Sequence, residues 1–352
     1  MDINDLKEQV KLNCTISDAR FWGYYSICGL LMRLQEIYRS EKALMPWEGI
    51  PKEGMSEWIA SREAEWSSLE TKALQPLKID EKVYDPFEVD GLNSYLNPHG
   101  FTYGGGYGRF NKPTFFLGEL ESKQERGDYL VYSSGKEFCR DLSTSVAMLQ
   151  GRCIFMRLEP LKTLLWDKFQ ELQARRFGGV LKEAFSSCGI EGPQPPEELY
   201  HKIETLSAEI SELFIFHETG EAFEDEYSDQ WLEILNCNRD RATEFYARGV
   251  KDLLADTSQK GPLTYIIGKR KKSLLTFFIV FLDGIRKELF PEILTAFQKF
   301  MDSGDWSLLE EARRTGYARA YALRERIIAL WKEGKGGNIG AFIRKYVKNS
   351  EA

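Results

Sequence analysis

Residues 197–227 read EELYHKIETLSAEISELFIFHETGEAFEDEY, and the second half of the chain is read from them. No proline interrupts the stretch, while Pro195 and Pro196 stand just ahead of it, where a fixed φ and a missing N–H suit a first helical turn. Successive residues of an α-helix turn by about 100°, so positions three, four or seven apart share a face. Leu199, Ile203, Leu206, Ile210 and Leu213 therefore form one apolar stripe, the pattern of a helix packed on a core.

The same stripe next carries His217, Glu221 and Glu224. Ionisable groups on an inward face need a partner, a hydrogen bond or a cation. One reading makes His217 and Glu221 a general acid and base pair, or makes His217, Glu221 and Glu224 ligands of a divalent metal ion in a cavity between helices. The structural alternative ends the helix at Gly220 in a left-handed cap, so that EAFEDEYSD becomes a solvated acidic turn. His217 then sits in the last turn, where a protonated imidazole is favoured. Under the first reading another helix must supply further oxygen ligands, with Asp252, Asp256, Asp283 and Glu311 as candidates. Asp283 also fits a polar stripe with Lys272, Thr276 and Lys287, and Asp252 fits a surface ion-pair ladder with Glu244 and Arg248.

Several known chemistries are excluded. Glu198 and His201 have the Glu-x-x-His spacing of di-iron bundles, but that chemistry needs the motif twice and it occurs once. Along a straight helix His201 and His217 lie about 24 Å apart and cannot share a metal. Three histidines in the whole chain also disfavour a multi-histidine zinc or copper site. HETGE places Glu221 where HExxH needs its second imidazole, and neither a GxSxG elbow nor a kinase motif set is present.

Outward from this helix, the spacing predicts further helices over residues 230–255, 263–289, 306–331 and 339–347, and helical texture between residue 161 and the GPQPP turn. The first half differs. Helices are predicted over 18–39 and 57–74, followed between residues 76 and 157 by strand-like PTFFLGEL, DYLVYSSG and RCIFMRLE. SGKEFCRDLSTSVAMLQG, between the last two, reads as a short helix or an irregular connection. The expected fold class is α+β and predominantly α-helical, with a small mixed β region in an N-terminal domain over residues 1–160 and a helical bundle over 161–352.

HGFTYGGGYGRFNKP reads as a glycine-rich loop leading into a strand. Gly104, Gly106 and Arg109 could hold a nucleotide or phosphate there, although the stretch matches neither GxxxxGK[ST] nor GxGxxG. Two basic clusters, Lys269 to Lys272 and Arg313 with Arg314, could hold an anion or pair with the acidic segment 221–229. They also permit a noncatalytic interaction protein, with Glu224 and Lys271 on its docking surfaces.

Bulk properties narrow the class. A net charge of −7, from 47 basic and 54 acidic side chains, opposes broad binding to nucleic acid or to anionic membranes. SLLTFFIVFLDGI is about 13 residues long, against the roughly 20 that cross a bilayer. Six cysteines without CxxC spacing suit reduced thiols, and the opening MDINDLKEQVKLNC lacks the basic and apolar regions of a secretory signal, so a cytoplasmic location is expected. The leading functional expectation is a small-molecule enzyme or ligand-binding protein with its His/Glu site in the helical half.

Overall fold

A computed structural model of the protein describes residues 2–174, 179–224, 228–237, 241–282, 284–334 and 339–350. The chain divides into two compact units, residues 1–166 and 167–352. The fold is α+β and predominantly helical, with the main sheet in the first half and helices in the second.

In the first unit the helix expected over residues 18–39 is two helices, α1 (Ile3–Phe21) and α2 (Ile27–Glu41). The break falls at WGYYS, where a single 3-10 turn over Trp22–Tyr24 is followed by extended Tyr25, and the Ser26 side chain accepts from Gly29 N at 3.1 Å to start α2. Apolar spacing persists through the bend because both helices need it, so periodicity alone does not reveal the junction. The next helix, α3, spans Lys52–Leu69. A two-stranded ribbon, β1 (Leu77–Ile79) and β2 (Lys82–Tyr84), and helix α4 (Val89–Leu96) precede the main sheet.

That sheet is mixed and has the order β3-β4-β5-β7-β6. Its strands are β3 (Phe101–Tyr107), β4 (Pro113–Arg126), β5 (Tyr129–Arg140), β6 (Ala147–Gln150) and β7 (Cys153–Arg157). Only the β5 and β7 pair is parallel. The segment expected as a short helix or irregular connection continues β5 to Arg140, runs irregularly over residues 141–146 and then supplies β6, because its backbone groups pair with β4 on one side and β7 on the other. Register shifts between Leu117 and Ser122 bend the long β4/β5 hairpin, as bulges do. Phe115, Phe116, Leu117, Tyr103 and Phe155 form the core of this unit, against which α1 and α4 pack.

Two buried ion clusters lie in the same unit. Lys112 Nζ is 3.0 Å from Asp18 and 2.9 Å from Asp141, while Arg157 meets both oxygens of Glu137 at 2.6 and 2.8 Å. A buried charge survives only when so paired.

Helix α5 (Leu158–Ala174) runs across the boundary between the units. The second unit contains α6 (Val180–Ser186), α7 (Pro196–Phe223), α8 (Ser228–Cys237), α9 (Arg241–Thr257), α10 (Pro262–Lys269), α11 (Lys272–Phe281), α12 (Gly284–Leu289), α13 (Pro291–Ser303), α14 (Trp306–Lys332) and α15 (Ile339–Ser350). The long helix predicted over 263–289 is thus three pieces. Arg270 adopts a left-handed conformation at the end of α10, and Leu282 is extended at the end of α11. α13 is not among the helices expected from the sequence, although Pro291 at its start and buried Ile293, Ala296, Phe297 and Phe300 carry the helical pattern.

Candidate functional site

Helix α7 continues past Gly220 to Phe223, and its predicted stripe of Leu199, Ile203, Leu206, Ile210 and Leu213 is buried. Gly220 is not a cap. It is the point of close approach to α9, where an added Cβ would collide with the carbonyl of Ala255 and lie 3.1 Å from Ser258 Oγ. This close approach brings the ionisable end of α7 against α9.

α9 answers with groups at the same spacing. Asp252 and Asp256 are one turn apart on α9, as His217 and Glu221 are on α7. His217 Nδ1 lies 2.8 Å from Asp256 Oδ1, and its Nε2 lies 3.6 Å from Glu221 Oε1. Glu221 Oε2 accepts from Lys251 Nζ at 2.6 Å, and Asp256 Oδ2 from Arg286 at 3.2 Å. His217, Glu221 and Asp252 each offer a ligand atom, and these atoms lie within 4.8 Å of one another.

The electrostatics follow from this geometry. Burial works against an imidazolium at His217, but Asp256 and Glu221 more than offset it and hold its pKa well above the ordinary value. Burial also works against the Glu221 carboxylate, yet Lys251 and His217 hold its pKa far below the usual range. Burial, with Glu221 beside it, pushes Glu218 up to about 7, and burial also raises Asp252. Four carboxylates, Glu218, Glu221, Asp252 and Asp256, therefore interact with two permanently cationic side chains, Lys251 and Arg286. With every carboxylate ionised, two positive charges are missing. A protonated His217 supplies one of them; a divalent cation on a neutral His217 supplies both.

Other residues singled out from the sequence lie elsewhere. Glu224 ends α7, with its carboxylate accepting from Tyr317 at 3.2 Å and lying 3.7 Å from Arg324, both on α14. It does not belong to the group formed by His217, Glu221 and Asp252. Glu311 is exposed on α14, and Asp283 lies outside the described residues, as do residues 225–227 of the acidic segment. Arg248 pairs with Glu244 at 2.9 Å, so the ladder has its first rung, but Glu244 is buried and Asp252 belongs to the site. His201 is exposed beside Glu204.

The basic clusters meet acids of their own unit: Lys271 with Glu209 at 3.7 Å, Lys272 with Glu183 at 3.2 Å, and Arg313 and Arg314 both with Glu310 at 2.7 Å. Gly104 and Gly106 stand in strand β3 instead of a loop, and Arg109 is exposed just beyond it. The Phe116 ring fills the space where a Cβ of Gly104 would stand, and Gly105 N donates to Gln150 Oε1 at 3.1 Å. These glycines let side chains lie flat on the strand.

Sequence reasoning missed Lys251, Arg286 and Glu218. The i, i+4 pair Asp252 and Asp256 on the predicted 230–255 helix and its continuation, mirroring His217 and Glu221, was a signal for that helix as the second wall.

No curated protein and no solved structure matches the chain. Family models cover nearly all of it, residues 5–157 matching an N-terminal domain and residues 162–350 a C-terminal domain, each described as a family of unknown function. The chain belongs to the DUF6866 family.

Proposed function

We propose that the C-terminal unit binds a divalent cation between α7 and α9 and uses it to hold or activate a small oxygen-bearing molecule. The observation that carries this reading is the convergence of His217, Glu221 and Asp252 donor atoms within 4.8 Å of one another. Asp256 supports it, because a carboxylate accepting from Nδ1 fixes the ring and leaves Nε2, on the Glu221 side, as the donor to metal. One imidazole and two carboxylates form a hard, mixed donor set suited to Mn²⁺, Fe²⁺ or Zn²⁺. The cation would act as a Lewis acid on a carbonyl or phosphoryl oxygen, with Glu218 beside it.

A reducing, cytoplasmic setting agrees with the free thiols of Cys14, Cys28, Cys139, Cys153 and Cys188. No described helix is long and apolar enough to cross a membrane.

Elemental analysis of protein purified without chelator, followed by Mn²⁺ and Zn²⁺ titration calorimetry, tests the reading. About one equivalent should bind to the unaltered chain, and His217→Ala and Asp252→Asn should each lose at least about 10-fold in affinity. Equal, substoichiometric metal in all three proteins would defeat it, leaving the cluster as a structural ion network.

A further inference from the structure

A run of neutral side chains, WGYYSICGLLM, residues 22–32, reaches the surface of the N-terminal unit where α1 gives way to α2. Six of its apolar or aromatic side chains, Trp22, Tyr24, Ile27, Cys28, Leu31 and Met32, are exposed, Ile27 by 88%. α2 is amphipathic in an unusual way. Leu34 and Tyr38, with Leu30 and Ile37, pack into the helical core of the unit. Ile27 with Leu31, and Cys28 with Met32, are i, i+4 pairs that continue the apolar surface beyond that contact and into solvent.

The platform under these side chains is fixed. Trp22 stacks on buried Trp66 with centroids 6.3 Å apart, and Tyr24 lies 5.0 Å from Phe110. At areas typical of such residues, the exposed fractions leave roughly 600 Å² of surface on these six residues, comparable to the largest apolar patches that monomers carry. A stable interface takes about 800 Å² from each partner, so this strip and a polar margin suffice for one partner's share.

We infer that this strip is the contact surface between two copies of the chain, α2 of one packing against α2 of the other about a two-fold axis. The charge distribution selects a second copy as the occupant. An acidic or basic partner has nothing to answer to, because residues 22–32 carry no charge. An anionic lipid surface needs a basic collar. The arginines that flank the strip in sequence are turned into their own unit: Arg20 donates to Glu70 O at 3.1 Å, Arg33 lies 4.9 Å from the Tyr25 ring centroid, and Arg39 donates to Met45 O and Glu48 O. A neutral, apolar strip is instead self-complementary, and it lets two chains of net charge −7 meet where neither presents charge. The inference is independent of the cation site.

Sedimentation velocity on the full chain across about 1 to 100 μM tests it. The unaltered protein should be dimeric in the upper part of that range. Ile27→Asp with Met32→Asp should weaken association at least about 30-fold, the effect of placing charge at an interface hot spot. The far-ultraviolet dichroism should be unchanged, since both positions are exposed. Val83→Asp, at an exposed position on β2, should leave the dimer intact. Alkylation of Cys28 should slow as protein concentration rises, a measurement that needs no variant. A monomer at every concentration, or a dimer indifferent to the double substitution, overturns the proposal.

Discussion

His217 on α7 and Asp256 on α9 are joined by a hydrogen bond of 2.8 Å between groups 39 residues apart in the chain. Asp256 is the more deeply buried of the two, and it also accepts from Arg286 at 3.2 Å. Its carboxylate therefore ties α9 to α7 and to α12.

Replacing Asp256 should reveal that role. Asp256→Ala leaves two cations facing a buried gap and should cost about 3 kcal/mol in urea unfolding of the metal-free protein. In the same variant, nuclear magnetic resonance of the imidazole should show the His217 pKa falling toward its ordinary value, because a nearby carboxylate that holds the proton has gone.

Gly220→Ala should act through the helix crossing. Alanine favours a helix by about 1 kcal/mol over glycine, so an uncrowded position would gain stability. Here the new methyl meets the backbone carbonyl of Ala255, which cannot turn aside as a side chain can. The expected outcome is a loss of about 1–3 kcal/mol by denaturant unfolding. Titration calorimetry should show weaker cation binding as well, since α7 and α9 would be pushed apart.

Glu224→Gln separates neighbouring functions on one helix. It should cost about 1 kcal/mol through the Tyr317 and Arg324 contacts. Cation stoichiometry by elemental analysis should be unchanged, because the proposed donors are His217, Glu221 and Asp252.

The N-terminal unit should show its own pH dependence through Asp18. Burial pushes this carboxyl up to about 6, in spite of Lys112 and the backbone donor at Leu142, with Asp141 adding to the rise. A carboxyl with a raised folded pKa binds its proton more tightly in the folded state. Its contribution to stability is full below the unfolded pKa, near 4, and is lost as pH rises through about 6. Asp18→Asn should therefore flatten the stability profile between about pH 4 and 6 by an amount on the order of 1–3 kcal/mol. It should also raise stability at neutral pH, since the amide escapes the cost of burying an ionised carboxylate that outweighs the Lys112 attraction. Urea midpoints across that range measure both effects.

The sequence alone determined the α+β class and the inward face of α7, because periodicity is a local property and the helix repeat places Leu199 and His217 on one line whatever surrounds them. It also singled out Asp252 and Asp256 as candidates on another helix. Tertiary structure decided which candidates meet: Gly220 lets α9 come close enough for Asp252 and Asp256 to reach the end of α7, while Glu224, on the same predicted stripe, turns to Tyr317 and Arg324. It likewise placed the glycines of residues 104–106 in a strand under Phe116 and Gln150, and split the first predicted helix at WGYYS. Chain-distant side chains meet only where backbones cross, and a crossing depends on volumes and turns that local spacing does not record.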